Sequence, residues 1–190
     1  MATFLKRTVY TGVEPITLTQ AKDFLKVSGS DDDTYITELI SNVRDFIEEE
    51  TSTALVNRTY TETFDRFPSG RGIIELQMSC NITTMTVIYY KDNAVNILDN
   101  TKYRYVVDNG LPKVEPVDGW ITDYDNRIGA IQIQYTATPT MTTIDPALRQ
   151  AMYLLIAHWY DNRSAVTYGN AKELPIGYNR IIRNYKNTGF

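Results

Sequence analysis

The chain has one cysteine, Cys80, and one histidine, His158. A single thiol excludes an internal disulfide and a cysteine-based zinc site. A single imidazole, set in the most apolar stretch of the sequence, leaves nothing for a histidine-rich metal centre and reads as a core or interface residue rather than a catalytic base. No apolar run reaches the ~20 residues that a membrane-spanning helix needs. The opening Met1-Ala2-Thr3-Phe4-Leu5-Lys6-Arg7 lacks the apolar core and small-residue cleavage site of a secretion signal, so a soluble protein made inside the cell is expected. Positive charge is also scarce. With 19 Lys+Arg against 23 Asp+Glu the formal net charge is −4, which argues against holding nucleic acid by neutralising phosphates over the whole surface.

What is present is an ordinary globular balance, 43% hydrophobic and 22% charged, in 190 residues, enough for one domain or one domain carrying an insertion. The unusual excess is 14 tyrosines, which points to contact surface as well as core.

The periodicity reads helices, then strands, then helices. Thr17-Leu18-Thr19-Gln20 fits a capping box, and Leu18, Ala21, Phe24 and Leu25 then share a face of a short helix ending near Val27, with Ser28-Gly29-Ser30 as the stop. After Asp31-Asp32-Asp33, the residues Ile36, Leu39, Ile40, Val43, Phe46 and Ile47 recur at helical spacing. The acidic triplet suits a helix N-terminus; a calcium loop would need alternating ligands, a central glycine and a closing glutamate that do not follow. From Asn57 to Ala137 the period drops to two. Short strands are predicted over 58–64, 73–76, 83–90, 95–98, 103–107, 111–115 and 131–136, with a turn at Lys91-Asp92-Asn93 and an Asn109-Gly110 hairpin. Helix returns after Thr143 with Asp145-Pro146 as cap and first-turn proline, and 147–160 is apolar nearly all round, the pattern of a buried helix. A last basic-amphipathic stretch, Tyr178 to Tyr185, follows Leu174-Pro175.

Catalytic machinery is hard to find. The carboxylate groups Asp123/Asp125 and Glu48/Glu49/Glu50 are explained as solvated faces, since nothing places two of them across a cleft. Ser69-Gly70-Arg71-Gly72 lacks the lysine and following hydroxyl residue of a phosphate loop. No catalytic residue, metal ligand or cofactor is assigned. Two readings stay open beside a structural one. The first is a carbohydrate- or receptor-binding β module using Tyr60, Tyr89, Tyr90, Tyr103, Tyr105, Tyr124 and Trp120. The second is a small carboxylate-pair hydrolase.

Three stretches in order resemble the head–tail connector (adaptor, or head completion) proteins of long-tailed bacteriophages. They are Glu14 to Val27, opening on Pro15-Ile16-Thr17-Leu18; the Asp31-Asp32-Asp33 spacer with Ile36, Leu39, Ile40 and Thr53-Ala54-Leu55; and Pro146 to Arg163 followed by Leu174-Pro175. The resemblance implies an α+β fold, with a small helical bundle from 1–56 and 138–190 and an inserted antiparallel sheet or sandwich at 57–137. It implies a virion protein of the phage neck, a dodecameric ring beneath the portal vertex that extends the DNA channel and joins head to tail. The partners implied are the portal protein, a neck, stopper or tail-completion protein, further copies of itself, and genomic DNA passing through without sequence-specific binding; no membrane is involved. Carried onto this sequence, the portal-binding candidates are Leu174, Pro175, Ile176, Arg180, Ile181, Ile182, Arg183, Tyr185 and Lys186. Deleting 174–190 is then expected to abolish portal binding while sparing the fold, and the polar segment 164–173 is expected to order on its template.

Overall fold

The structure, a computed structural model, describes residues 4–8, 10, 13–108, 110–139, 144–163 and 174–186. In chain order the elements are β1 Phe4–Arg7, α1 Leu18–Leu25, α2 Asp33–Thr51, β2 Arg58–Phe64, β3 Ile74–Glu75, β4 Asn81–Lys91, β5 Ala94–Ile97, β6 Tyr103–Asp108, β7 Leu111–Pro116, β8 Ile131–Thr138, α3 Pro146–Asp161 and α4 Ile176–Arg183. The fold is α+β with open antiparallel sheets. Residues 1–12 and 56–140 form one compact unit, and residues 13–55 and 141–190 the other. The segment 164–173 lies outside the described residues.

The strand unit holds a five-stranded sheet in the order β1-β2-β8-β4-β5 and a three-stranded sheet in the order β3-β7-β6. β1 was not foreseen, because four residues are too few to show a period of two. Residues 4–7 are expected with the helices; instead they pair with β2, from Phe4↔Thr63 to Arg7↔Tyr60. The alternation of β2 and β8 explains the sheet. Tyr60, Glu62, Phe64, Ile131, Ile133 and Tyr135 are buried, while Thr61, Thr63, Gln132 and Gln134 alternate to the opposite face. Each fully buried aliphatic side chain contributes about 1.5–3 kcal/mol. Between the sheets Tyr103 Oη donates to the Met85 carbonyl at 3.1 Å.

The turn predicted at 91–93 joins β4 to β5, and the predicted hairpin joins β6 to β7, with Asn109 itself outside the described residues. Asp92 and Asn93 sit at φ +53° and +60°, the left-handed pair that a two-residue turn between twisted strands requires. The Asp125 carboxylate accepts both of their N–H groups at 2.9 Å. In the β6–β7 hairpin Asp108 faces Leu111, and Gly110 has φ +83°. A Cβ at that φ is strained, so Gly110→Ala is expected to cost about 1–2 kcal/mol, read as a lower urea midpoint with an unchanged slope.

In the helical unit the capping box forms as predicted. Thr17 Oγ1 accepts from the Gln20 N–H at 3.2 Å, and Gln20 Oε1 accepts from the Thr17 N–H at 3.0 Å. α1 stops at Leu25, slightly earlier than expected, because Lys26 takes a left-handed φ of +57° and its N–H turns back to the helix carbonyls. The Asp145 carboxylate caps α3 through the Ala147 N–H at 2.8 Å. α3 is apolar on most sides because α1, α2 and α4 all pack on it. Ala21, Ile36, Ile40, Val43, Ile47, Leu148, Met152, Leu155, Tyr178 and Ile182 form one core. Around it Phe24 stacks on Tyr153 at 4.8 Å, and Phe46 meets Trp159 edge-on at 5.6 Å. Among the described residues no helix is long and apolar enough to cross a membrane.

Candidate functional site

Acidic residues expected at a helix N-terminus (Asp32, Asp33) or on solvated faces (Asp123, Asp125, Glu48) each have a specific partner in the structure. Asp33 accepts from Lys22 Nζ at 2.5 Å, bracing α1 against the start of α2. Asp32 accepts from Tyr160 Oη at 2.5 Å and from Arg163 Nη2 at 3.0 Å. The Arg163 guanidinium also lies over the rings of Tyr160 (4.4 Å) and Tyr35 (4.7 Å). The hydrogen bonds from Arg163 and Tyr160 hold the Asp32 carboxyl below its ordinary range. This cluster ties the start of α2 to the end of α3, a use of the acidic triplet beyond the helix dipole. Asp125 shapes the Asp92-Asn93 turn and Asp123 pairs with Lys91. Glu48 is buried and accepts the Leu55 N–H at 2.7 Å. Among the described residues no three His, Cys, Asp or Glu side chains are placed to hold a metal ion.

Arg44 and Glu62 are also buried charged groups, and neither was singled out in the sequence. Arg44, 3% exposed, is gripped by Glu14 through Nε (2.7 Å) and Nη2 (3.0 Å), with Asp45 on Nη1 at 2.6 Å. Burial alone would lower the Arg44 pKa, but the Glu14 hydrogen bonds and surrounding carboxylates raise it overall. Glu62 lies wholly inside the strand unit, where Oε1 accepts from Tyr135 Oη (2.7 Å) and from the Gln77 N–H (2.8 Å). Glu62 sits at an inward position of a strand, and that alternation was the available signal. Beside it burial, with a smaller push from Glu62, raises the Cys80 thiol to about 12, so it is not a nucleophile at neutral pH.

The aromatic residues considered for a glycan platform do not assemble into one. Tyr60, Tyr103 and Trp120 are buried, with Trp120 stacked on Phe67 at 4.6 Å and donating from Nε1 to the Gly72 carbonyl at 2.7 Å. Tyr124 Oη accepts the Phe67 N–H, and Tyr90 lies under the Arg127 guanidinium. Of that set Tyr105 alone is an exposed side chain.

The C-terminal candidates divide by the period of α4. Tyr178 and Ile182, one turn apart, are 1% exposed and belong to the core, with Leu174, Ile181 and Tyr185 packed partly against it. Ile182 therefore anchors α4 and is not surface. Ile176, Arg180 and Arg183 fall at i, i+4 and i+7 on the opposite face; Ile176 is 85% exposed and both arginines are exposed. Lys186 pairs with Glu50 on α2 at 2.5 Å, and Pro175 is half-buried ahead of the helix. The surface that results is a short basic strip with one apolar tip, held rigidly by its buried side.

Comparison with known proteins agrees with this architecture. Solved structures with similar folds include a chain from the neck of an empty gene transfer agent particle computed with C6 symmetry, at TM-score 0.77 and 18% identity, covering 98% of this chain and 97% of that one. A chain from the virion of a native gene transfer agent particle gives TM-score 0.72 and 20% identity over 98% and 96% of the two chains. One from the neck of a native particle computed with C12 symmetry gives 0.62 and 18% over 98% and 97%. No curated protein matches the chain. A family model described as head completion protein matches residues 14–188, from the residue that grips Arg44 to beyond α4, and the chain belongs to that family.

Proposed function

We propose that this chain is a structural virion protein, an adaptor that forms a ring beneath the portal vertex, lengthens the DNA channel and joins the phage head to the neck or tail. The observation that carries the reading is the head completion family match across nearly the whole chain. Similar folds occur in particle necks, one of them computed with C12 symmetry, which supports a ring of twelve copies. Copies related by rotation meet through two different faces, and such head-to-tail interfaces close into rings. In this reading the Ile176, Arg180 and Arg183 strip of α4 faces the portal protein, and a stopper or tail-completion protein binds elsewhere on the ring. Genomic DNA passes without sequence-specific contact, a role with which the net charge of −4 is compatible.

Particles assembled without this chain are expected to stop as heads lacking tails, with free tails accumulating beside them in electron micrographs. Normally tailed, infectious particles would refute the role. The docking face has its own test. Arg180→Glu with Arg183→Glu changes only exposed side chains, so stability should move by less than about 0.5 kcal/mol per site. Affinity for portal rings should fall at least about tenfold through the lost charge complementarity. Unchanged binding would move the portal contact off α4.

A further inference from the structure

A ring needs two unlike faces on each subunit, and the five-stranded sheet ends in two unlike edges. We propose that subunits join edge to edge, with β5 of one copy pairing with β1 of a second copy of this chain. This rests on the ring reading above. β1 and β5 are the outermost strands, and every pairing between them is antiparallel. In five alternating strands the first and last run in the same direction. A rotation about a ring axis along the strands preserves that direction, so β5 and the neighbour's β1 meet as parallel strands.

The ladders show which backbone groups face outward. Leu98 N–H donates to the Val87 carbonyl at 2.8 Å, so by the alternation of an antiparallel ladder Val95 and Ile97 turn their N–H and C=O away from β4. Thr8 N–H donates to the Thr59 carbonyl at 3.1 Å, so Leu5 turns its own away from β2. A parallel pairing then runs from Leu5 N–H to Val95 C=O and from Ile97 N–H to Leu5 C=O, which sets Phe4 beside Val95. The side chains fit that register. Phe4, Thr63, Gln132, Ile88 and Ile97 form one row straight across the sheet, so Phe4, Val95 and Ile97 share a face. They are 62%, 62% and 69% exposed, apolar surface left open at both edges.

Charge selects the partner. β5 contains neither a charged residue nor proline, the features that usually blunt an edge strand, and it is bracketed by exposed Asp92 and Asp99. β1 ends in Lys6-Arg7. In this register Arg7 of one copy falls beside Leu98 of the next, adjacent to Asp99, whereas pairing β1 with β1 or β5 with β5 sets like charges together, which favours the head-to-tail contact over a two-fold dimer. Main-chain pairing of this kind supplies affinity, and the alternate side chains supply specificity.

The test mixes the full chain with portal rings and counts bound copies by mass photometry. Val95→Lys with Ile97→Lys is expected to lower ring occupancy at least about tenfold while leaving the far-ultraviolet dichroism and urea midpoint unchanged. Phe4→Cys with Val95→Cys should give a ladder of cross-linked oligomers on mild oxidation of assembled rings, since the native Cys80 is buried. Wild-type occupancy by the lysine variant, or assembled rings of the double-cysteine chain without a cross-link, would overturn the edge pairing and leave the ring reading intact. Failure of the wild-type chain to join portal rings would overturn the ring reading, and this inference with it.

Discussion

Removing residues 174–190 is expected to unfold the helical unit rather than simply uncouple it from a partner. Tyr178 and Ile182 are each 1% exposed in the core formed with α2 and α3. Their loss amounts to an aromatic and an aliphatic large-to-small change at once, about 5–10 kcal/mol. That approaches the whole of the roughly 5–15 kcal/mol that stabilises an ordinary domain. The burial of Tyr178 and Ile182 argues against the expectation from the family resemblance, a tail that detaches harmlessly, because the tail's amphipathic stretch is also a core helix. Urea denaturation of the truncated chain should show the helical signal lost or shifted to a far lower midpoint. A cooperative transition at the wild-type midpoint would show that α4 is dispensable to the fold. For the same reason the portal contact is better probed by Arg180→Glu and Arg183→Glu than by truncation.

Tyr135→Phe is expected to destabilise the strand unit by about 1.5–3 kcal/mol, the range for a hydrogen bond to a charged group, and more at high pH than at low. Tyr135 Oη donates to Glu62 Oε1 at 2.7 Å in the buried interior of the strand unit, and Glu62 Oε2 has no hydrogen-bond partner among the described residues. Burial raises the Glu62 pKa above its ordinary 4.5, against the hydrogen bonds from Tyr135 and Gln77, which lower it. The folded chain therefore holds this proton more tightly than the unfolded chain. The stability it contributes is fully present below about 4.5 and is lost as pH rises through the raised folded value. In Tyr135→Phe the carboxylate loses a donor, which steepens that loss. In Glu62→Gln the charge is gone, and the falling limb should flatten. Urea midpoints of the three chains from pH 4 to pH 8 separate these outcomes; parallel curves for all three would contradict the buried-acid account.

The parts of the fold legible in the sequence are those with a long period or a strong local signal. α2 announced itself through Ile36, Leu39, Ile40, Val43 and Ile47, all buried. β2 and β8 did so through a strict alternation, and α3 through an apolar surface on most sides. β1 was illegible because its pairing with residues 60–63 is a long-range fact and its four residues carry no period of their own. The pairs Glu14–Arg44 and Glu62–Tyr135 were hidden for a related reason: a charged residue on a helix or strand reads as solvated until its partner, 30 or 73 positions away, is brought beside it. The C-terminal candidates were found as a segment but not sorted. The period of α4 does the sorting, turning Ile182 inward and Arg180 and Arg183 outward.

The central claim, an adaptor ring seated on the portal, is tested most directly by the mass of the complex formed with the portal protein of the same virus, with this chain alone as the control. A single species is expected, heavier than the portal ring by about twelve subunits of 21.7 kDa each. Two unchanged peaks, the portal ring and free chain at any mixing ratio, would contradict it.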